Sequence, residues 1–102
     1  VTIEVSGGSS YGILVSGSGS ATVRGSIISG GTHAIRVSNA IVRVDASRLR
    51  GGTAALQVID ATSRVATSLL DGAATISTSG AVTVACAFTY NANFAALNTS
   101  CN

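Results

Sequence analysis

The sequence predicts an all-β fold in which short strands wind into a solenoid, and three observations support this prediction. The first is composition: charged residues make up 10% of the 102-residue chain, Lys, Pro, Met and Trp are absent, and Ser, Thr, Ala, Val and Gly dominate. Such a composition lacks the Leu, Glu and Lys content of helical proteins and favours strands. The second and third observations are a sequence repeat and an alternation of apolar and polar residues.

The pattern V-x-x-S-x-[IL]-x-G occurs three times, at residues 23–30, 44–51 and 65–72. Equivalent positions of successive copies are always the same number of residues apart, and we call this number of residues the repeat interval. A second aliphatic series recurs at nearly the same step in the other half of each unit, at Ile13, Ile35 and Leu56, and a weaker fourth copy contains Ile76 and Cys86. A fixed period of this length indicates a repeat architecture, in which each unit buries its apolar face against its neighbours.

Within each unit the apolar residues alternate with polar ones, which is the period of a strand. We expect Val44, Leu49, Val65 and Leu70 to point inward, and Arg43, Arg48 and Arg64 to point outward. Strands this short cannot pair within one unit, so each must pair in parallel with its counterpart in the next unit. Identical residue types then stack in ladders about 4.8 Å apart. Val, Ile and Leu fill the bore, while Ser and Gly form the corners.

The V-x-x-S-x-[IL]-x-G pattern resembles one coil of the right-handed parallel β-helix family, the pectin-lyase-like solenoids. The resemblance implies an all-β, right-handed parallel β-helix of about four coils of 21–23 residues over residues 1–90. The stretch VTVACAFTYNANFAALNTSCN is similar to the C-terminal ends of secreted bacterial members, where a last irregular turn closes the solenoid. We therefore predict a capping tail at residues 91–102. Lyases, hydrolases, adhesins and phage tailspikes share this coil, so the resemblance does not specify a function.

Two cysteines, Cys86 and Cys101, lie near the C-terminus. In a chain rich in Ser, Thr and Gly they indicate one disulfide that ties the tail to the coils, and an oxidising compartment. The alternative is a pair of free thiols in a cytosolic protein. We place Cys86 in the last coil, in the column of Gly25, Ala46 and Thr67. We expect a secreted or cell-surface location, which the resemblance makes bacterial.

The charged residues provide no catalytic constellation. A glycosidase needs two carboxylates roughly 5–9.5 Å apart, and Asp45 and Asp71 come nearest to this requirement. Their ladder neighbours Arg24 and Arg50 are expected to hold both carboxylates ionised, which is unfavourable for a general acid. The single histidine, His33, follows a GGT corner and is expected to be exposed to solvent. The sequence therefore predicts no catalytic residue, no cofactor and no metal site in this segment.

The remaining arginines allow two interpretations. Arg43 is expected to stack on Arg64, either as part of a groove for an acidic polysaccharide or as surface charge that keeps the solenoid soluble. We favour the second, because exposed charge pairs are common and weak. A net charge of +2 without any basic run does not indicate nucleic-acid binding. No apolar run approaches the length that spans a membrane.

One outward column departs from the alternation. It comprises Ile27, Arg48, Leu69 and Phe88, of which three are large and apolar. A contiguous apolar strip at the surface usually marks a contact site. The alternative is that a loop or the C-terminal tail, with Phe94 and Leu97, folds back over this strip. The sequence leaves both interpretations open.

These observations predict a structural or adhesive extracellular segment that acts through surface interaction or assembly, without catalysis. One alternative is a carbohydrate-active β-helix whose catalytic coils lie outside this segment, and another is a phage tailspike-like trimer segment. The chain starts at Val1 without Met and already inside a strand pattern, which we interpret as a processed or truncated N-terminus. We expect the first coil to stack on more β-helix chain or on another subunit, as in a homo-oligomer. Polysaccharide or other cell-surface components are further expected partners.

Overall fold

The computed structural model describes Thr2–Glu4 and residues 11–101, and this part of the chain contains thirteen β-strands and no helix. The strands form three sheets that the chain visits in rotation. Sheet A consists of β1 (Thr2–Glu4), β4 (Ile27–Gly30), β7 (Arg48–Gly51), β10 (Leu69–Asp71) and β13 (Tyr90–Asn91). Sheet B consists of β2 (Tyr11–Val15), β5 (His33–Ser38), β8 (Ala54–Ile59) and β11 (Ala74–Ser79). Sheet C consists of β3 (Ser20–Arg24), β6 (Ile41–Asp45), β9 (Thr62–Ala66) and β12 (Thr83–Ala87).

Strands within the three sheets pair in parallel, each with its counterpart in the neighbouring coil. In sheet C, Val44 lies between Val23 and Val65, and in sheet A, Leu49 lies beside Leu70. This arrangement confirms the predicted all-β parallel solenoid of about four coils. None of the described residues belongs to a helix that is long and apolar enough to cross a membrane.

The bore of the solenoid is filled by the aliphatic side chains that the alternation places inside. The exposed fractions of Val44, Leu49, Val65 and Leu70 are 2%, 0%, 2% and 0%. Arg43, Arg48 and Arg64 lie on the outside. The predicted inward and outward orientations of these seven residues are therefore confirmed.

The repeat interval changes only at corners. Tyr11 and its partner His33 are one residue further apart in the sequence than Ser20 and its partner Ile41. The first coil therefore has one extra residue between β2 and β3. This residue lies in the corner SGSGS, where Gly17 has a φ of 71°. A surface corner absorbs an insertion because the strands on both sides keep their register.

A serine corner joins sheet C to sheet A in three successive coils and explains the spacing of the repeat. In one coil Ala46 has a left-handed backbone with φ 48°. The next residue, Ser47, donates its hydroxyl to the Asp45 carbonyl (2.8 Å) and accepts from the Ser26 N–H (3.2 Å). Ser68 makes the same two contacts one coil later. These hydroxyls form hydrogen bonds with backbone groups that, because of the turn, do not pair with a neighbouring strand.

The glycine that ends the repeat motif is required for close packing. A Cβ atom on Gly72 would lie 2.7 Å from the Gly51 carbonyl oxygen and 2.8 Å from that of Ala74. Contacts this short with backbone atoms mean that the backbone would have to move to admit any side chain at this position. The sequence predicts a tight corner here, and the structure shows that the constraint is space.

The C-terminal tail crosses the end of the solenoid and is tied to it by the predicted disulfide, Cys86–Cys101. The column assigned to Cys86 is wrong: Cys86 pairs with Val65, and Phe88 occupies the left-handed position of Thr67. The repeat interval is unchanged throughout sheet C. The buried Cys86 side chain therefore continues the valine column of the bore.

Backbone hydrogen bonds attach the tail to the last strands of sheets A and C. The Leu97 N–H donates to the Thr89 carbonyl (2.8 Å), and the Cys86 N–H donates to the Thr99 carbonyl (2.9 Å). Leu97 and the disulfide pack against the core. The tail therefore covers part of the end of the bore with an aliphatic side chain and a disulfide.

Leu49→Ala is expected to lower the free energy of unfolding by about 2–5 kcal/mol, because it removes methyl groups from a close-packed bore. Urea denaturation followed by circular dichroism measures this difference. The control is Arg48→Ala on the outer face, for which we expect a change within about 0.5 kcal/mol. Equal effects of the two substitutions would contradict the register.

Ser63→Ala is expected to raise the free energy of unfolding by about 1 kcal/mol. Ser63 is fully buried in the column of Val42 and Val84, and its hydroxyl has no hydrogen-bond partner among the described residues. The matched control is Ser47→Ala, which removes a hydroxyl with two partners and should lower stability by about 1 kcal/mol. Changes of the same sign in both variants would show that the two hydroxyls are equivalent.

Removal of the disulfide is expected to lower the free energy of unfolding by about 3 kcal/mol, the chain-entropy value for a loop of this length. The sequence separation of its cysteines is 15 residues. The double variant Cys86→Val and Cys101→Ala tests this, because the introduced valine would preserve the packing of the bore. Thiol alkylation of the unreduced native protein should label neither cysteine, and labelling of both would refute the bridge.

Candidate functional site

The outward apolar column exists, with one change from the prediction. Arg48 lies between Ile27 and Leu69, and Leu69 pairs with Tyr90. The prediction of Phe88 as the fourth member is wrong, because the fourth member is Tyr90. Phe88 lies two residues before Tyr90, at the left-handed corner with φ 49°. The repeat interval, continued from Leu69, leads directly to Tyr90.

This column borders a groove of about 610 Å³, which we call the axial groove. Its lining residues come from four successive coils in register, so the groove follows the axis of the solenoid. They are the outward column, the left-handed corner residues with their neighbouring serines, and one residue of the tail: Gly25, Ser26, Ile27, Ala46, Ser47, Arg48, Thr67, Ser68, Leu69, Phe88, Tyr90 and Phe94.

Small corner residues leave the space that forms the groove. Gly25, Ala46 and Thr67 all have a positive φ, at 58°, 48° and 50°. The last of these is unusual, because a β-branched residue rarely adopts this conformation. Strained backbone of this kind is often found at functional sites. The unusual backbone and the groove therefore coincide.

The C-terminal tail extends the apolar strip and leaves it uncovered. Asn91 holds the tail in a tight turn: its side-chain oxygen accepts from the N–H groups of Asn93 (2.9 Å) and Ala95 (3.1 Å). The turn presents Phe94 beside Phe88, and these rings are 77% and 78% exposed. The strip therefore remains exposed beside the tail.

Arg48 is the charged member of the axial groove. It has no ion pair among the described residues, whereas Arg50, also on β7, pairs with Asp71 at 3.6 Å (Nε to Oδ2). The Arg48 guanidinium is therefore available to a partner. Arginine binds carboxylates with two parallel hydrogen bonds and also stacks on flat apolar groups.

A second charged surface lies on the outside of sheet C. Arg43 stacks on Arg64 as predicted, and both line a shallow depression of about 380 Å³ together with Arg24 and Asp45. Arg24 and Asp45 lie in register, but the expected ion pair between them is absent. This face therefore carries three arginines and one carboxylate.

The described carboxylates lie in different parts of the solenoid. Asp45 is on sheet C, Asp71 is on sheet A, and Asp60 occupies a left-handed corner where it accepts from the Ala81 N–H (2.9 Å). The side chain of Glu4 lies outside the described residues. Within residues 11–101 no three His, Cys, Asp or Glu side chains cluster as a metal site would require.

The expectation that His33 is exposed is wrong, since only 7% of it is accessible. The register places Tyr11 next to it, with the two ring centroids 5.7 Å apart. Arg36 donates to the Tyr11 hydroxyl (2.8 Å) and lies 5.3 Å from the centre of its ring. Burial, and then the Arg36 charge, lower the pKa of His33. Both effects favour the neutral imidazole.

Comparisons of the chain with protein-family models, with curated proteins and with solved structures found no significant match.

Proposed function

We propose that this protein is a structural or adhesive extracellular segment that binds an elongated cell-surface polymer along the axial groove, without catalysis of its own. One observation carries the proposal. Six large hydrophobic side chains of the described residues are strongly exposed, and four of them line the axial groove: Ile27, Phe88, Tyr90 and Phe94. Such clustering at a surface marks a site of contact.

The groove favours a polymer over a compact ligand. Its lining residues come from corresponding positions of successive coils, about 4.8 Å apart along the axis, so the groove is elongated. The aromatic rings supply apolar faces, and Tyr90 adds a hydroxyl at the same position. Arg48 adds one cation in the middle of the column. An acidic polysaccharide combines extended shape, apolar sugar faces and carboxylates, and it therefore matches this lining.

The Cys86–Cys101 disulfide supports an extracellular location, because such bonds persist in oxidising compartments. The resemblance of the repeat motif to pectin-lyase-like β-helices supports a secreted bacterial protein. The second candidate function, a carbohydrate-active β-helix with catalytic coils outside this segment, is favoured by the arginine ladder on sheet C. Arg43 and Arg64 would then hold an acidic polymer beside a distant catalytic site.

Binding to immobilised polygalacturonate tests the proposal, with neutral cellulose as the comparison. The double variant Phe88→Ala and Tyr90→Ala should bind at least about tenfold more weakly, because central aromatic residues dominate binding energy. The matched control is Ile41→Ala, which removes an exposed apolar side chain from sheet C, outside the groove. We expect this control to bind within about twofold of the unmodified protein.

Two outcomes would redirect the proposal. Loss of binding in Arg43→Ala with Arg64→Ala, but not in the aromatic variant, would transfer the site to sheet C and favour the second candidate. Shortening of the polysaccharide by the protein, measured as new reducing ends or unsaturated products, would contradict the non-catalytic role. Urea denaturation of each variant confirms that the fold is intact.

A further inference from the structure

The outer edge of β11 is an unpaired strand edge at the C-terminal end of sheet B. The strand order β11-β8-β5-β2 places β11 last in its sheet, and it pairs with β8 on one side. Among the described residues no strand pairs with its other side. The tail, by contrast, covers the equivalent ends of the other two sheets through the Leu97–Thr89 and Cys86–Thr99 backbone bonds.

The backbone of β11 can accept a further strand. The Ser79 carbonyl accepts from the Asp60 N–H (3.0 Å) and therefore faces the preceding coil. Backbone groups of successive strand residues point alternately to the two neighbouring strands, so those of Thr78 and Ile76 face the open side. The strand reads ATISTS and contains no charge and no proline, the usual means of protecting an edge. Its Thr and Ile residues favour pairing.

A cavity of about 510 Å³ lies beside this edge, where the bore is incompletely closed. It is lined by Ile76, Thr78, Val82, Thr83, Val84 and Ser100. Leu56 and Val58, the partners of Ile76 and Thr78 one coil earlier, are fully buried. Ile76 is only half-buried and Thr78 is exposed. An added strand with an aliphatic side chain facing inward would cover these residues as β11 covers those of β8.

The tail limits the occupant to a single strand. The Thr75 hydroxyl donates to the Cys101 carbonyl (2.6 Å), and Cys101 is fixed by the disulfide, so the tail borders one side of the open edge. A complete coil of a second copy would have to occupy the positions above β12 and β13 that the tail already fills. An extended segment without further coils would avoid these positions.

We propose that the outer edge of β11 binds an extended peptide segment of a partner protein, which adds to sheet B as a fifth strand and places a branched aliphatic side chain in the cavity beside Ile76 and Val84. This is strand addition, in which backbone hydrogen bonds provide affinity and side-chain pockets provide specificity. The site is separate from the axial groove, whose lining residues include none from sheet B. It therefore stands independently of the proposed function.

Fluorescence anisotropy with a labelled, end-capped peptide of sequence THAIRVS tests the proposal on the complete 102-residue chain. This sequence, residues 32–38, contains a strand of sheet B with aliphatic residues at alternate positions. Thr78→Pro removes an N–H from the open side and should weaken binding at least about tenfold, while an edge strand tolerates the proline. The matched control Ser77→Ala keeps every N–H of the open side and changes no residue that lines the cavity, so it should bind within about twofold of the unmodified protein.

A second peptide and a second measurement complete the test. The peptide THADRVS, with an acid in place of the central aliphatic residue, should bind at least about tenfold more weakly, because it would bury a charge in the cavity. Hydrogen exchange should show slower exchange of the Ile76 and Thr78 amides when THAIRVS is bound. Failure of THAIRVS to bind, or equal binding by Thr78→Pro, would overturn the proposal. Protection of these amides by self-association alone would assign the edge to a second copy and would also overturn it.

Discussion

Parallel pairing of every strand with its counterpart one coil away is the constraint on which this structure depends. The pairing holds only if each coil superimposes on the next, so strands, corners and inward side chains must all recur at the same interval. The left-handed corners show this clearly: Asn39, Asp60 and Gly80 follow one another at one corner with φ of 51°, 46° and 75°. Glycine, asparagine and aspartate tolerate this backbone best. Insertions are confined to corners because a shift within a strand would turn its core residues outward.

The corner between sheets C and A connects this constraint to the proposed binding site. The serine hydroxyls of this corner stabilise a left-handed backbone at the preceding residue, and that residue is small in three coils. In each coil, the residue of the outward column lies two positions after this corner residue. Small corner side chains and large column side chains therefore lie next to one another in three successive coils, and stacking of these coils converts one indentation into a groove. In the last coil Phe88 replaces the small residue, and the groove gains an aromatic ring there.

The same stacking leaves the last coil of the described residues without a following described coil to pair with. The tail covers the ends of two sheets, A and C. Its Leu97 and the disulfide pack on the core, and its backbone pairs with the last strands of sheets A and C. Sheet B keeps an open edge beside an incompletely filled bore. An edge of this kind is a site for another strand, whether in a functional complex or in aggregation.

The sequence by itself determined the fold, because so short a repeat interval leaves parallel stacking as the only way to pair its strands. It also identified Val44 and Leu49 as core residues and paired the two cysteines, since a buried alternation and a single cysteine pair leave little freedom. Only the tertiary structure shows where the sequence repeat becomes irregular. The sequence predicts Phe88 in the outward column because the fourth copy contains Cys86 and Thr89 where earlier coils have Val and Ser. These differences obscure the register of the fourth copy. Burial of His33 depends on Tyr11 from the preceding coil, and the path of the tail depends on contacts with three sheets. Such long-range contacts leave no periodic signal, so only the folded chain reveals them.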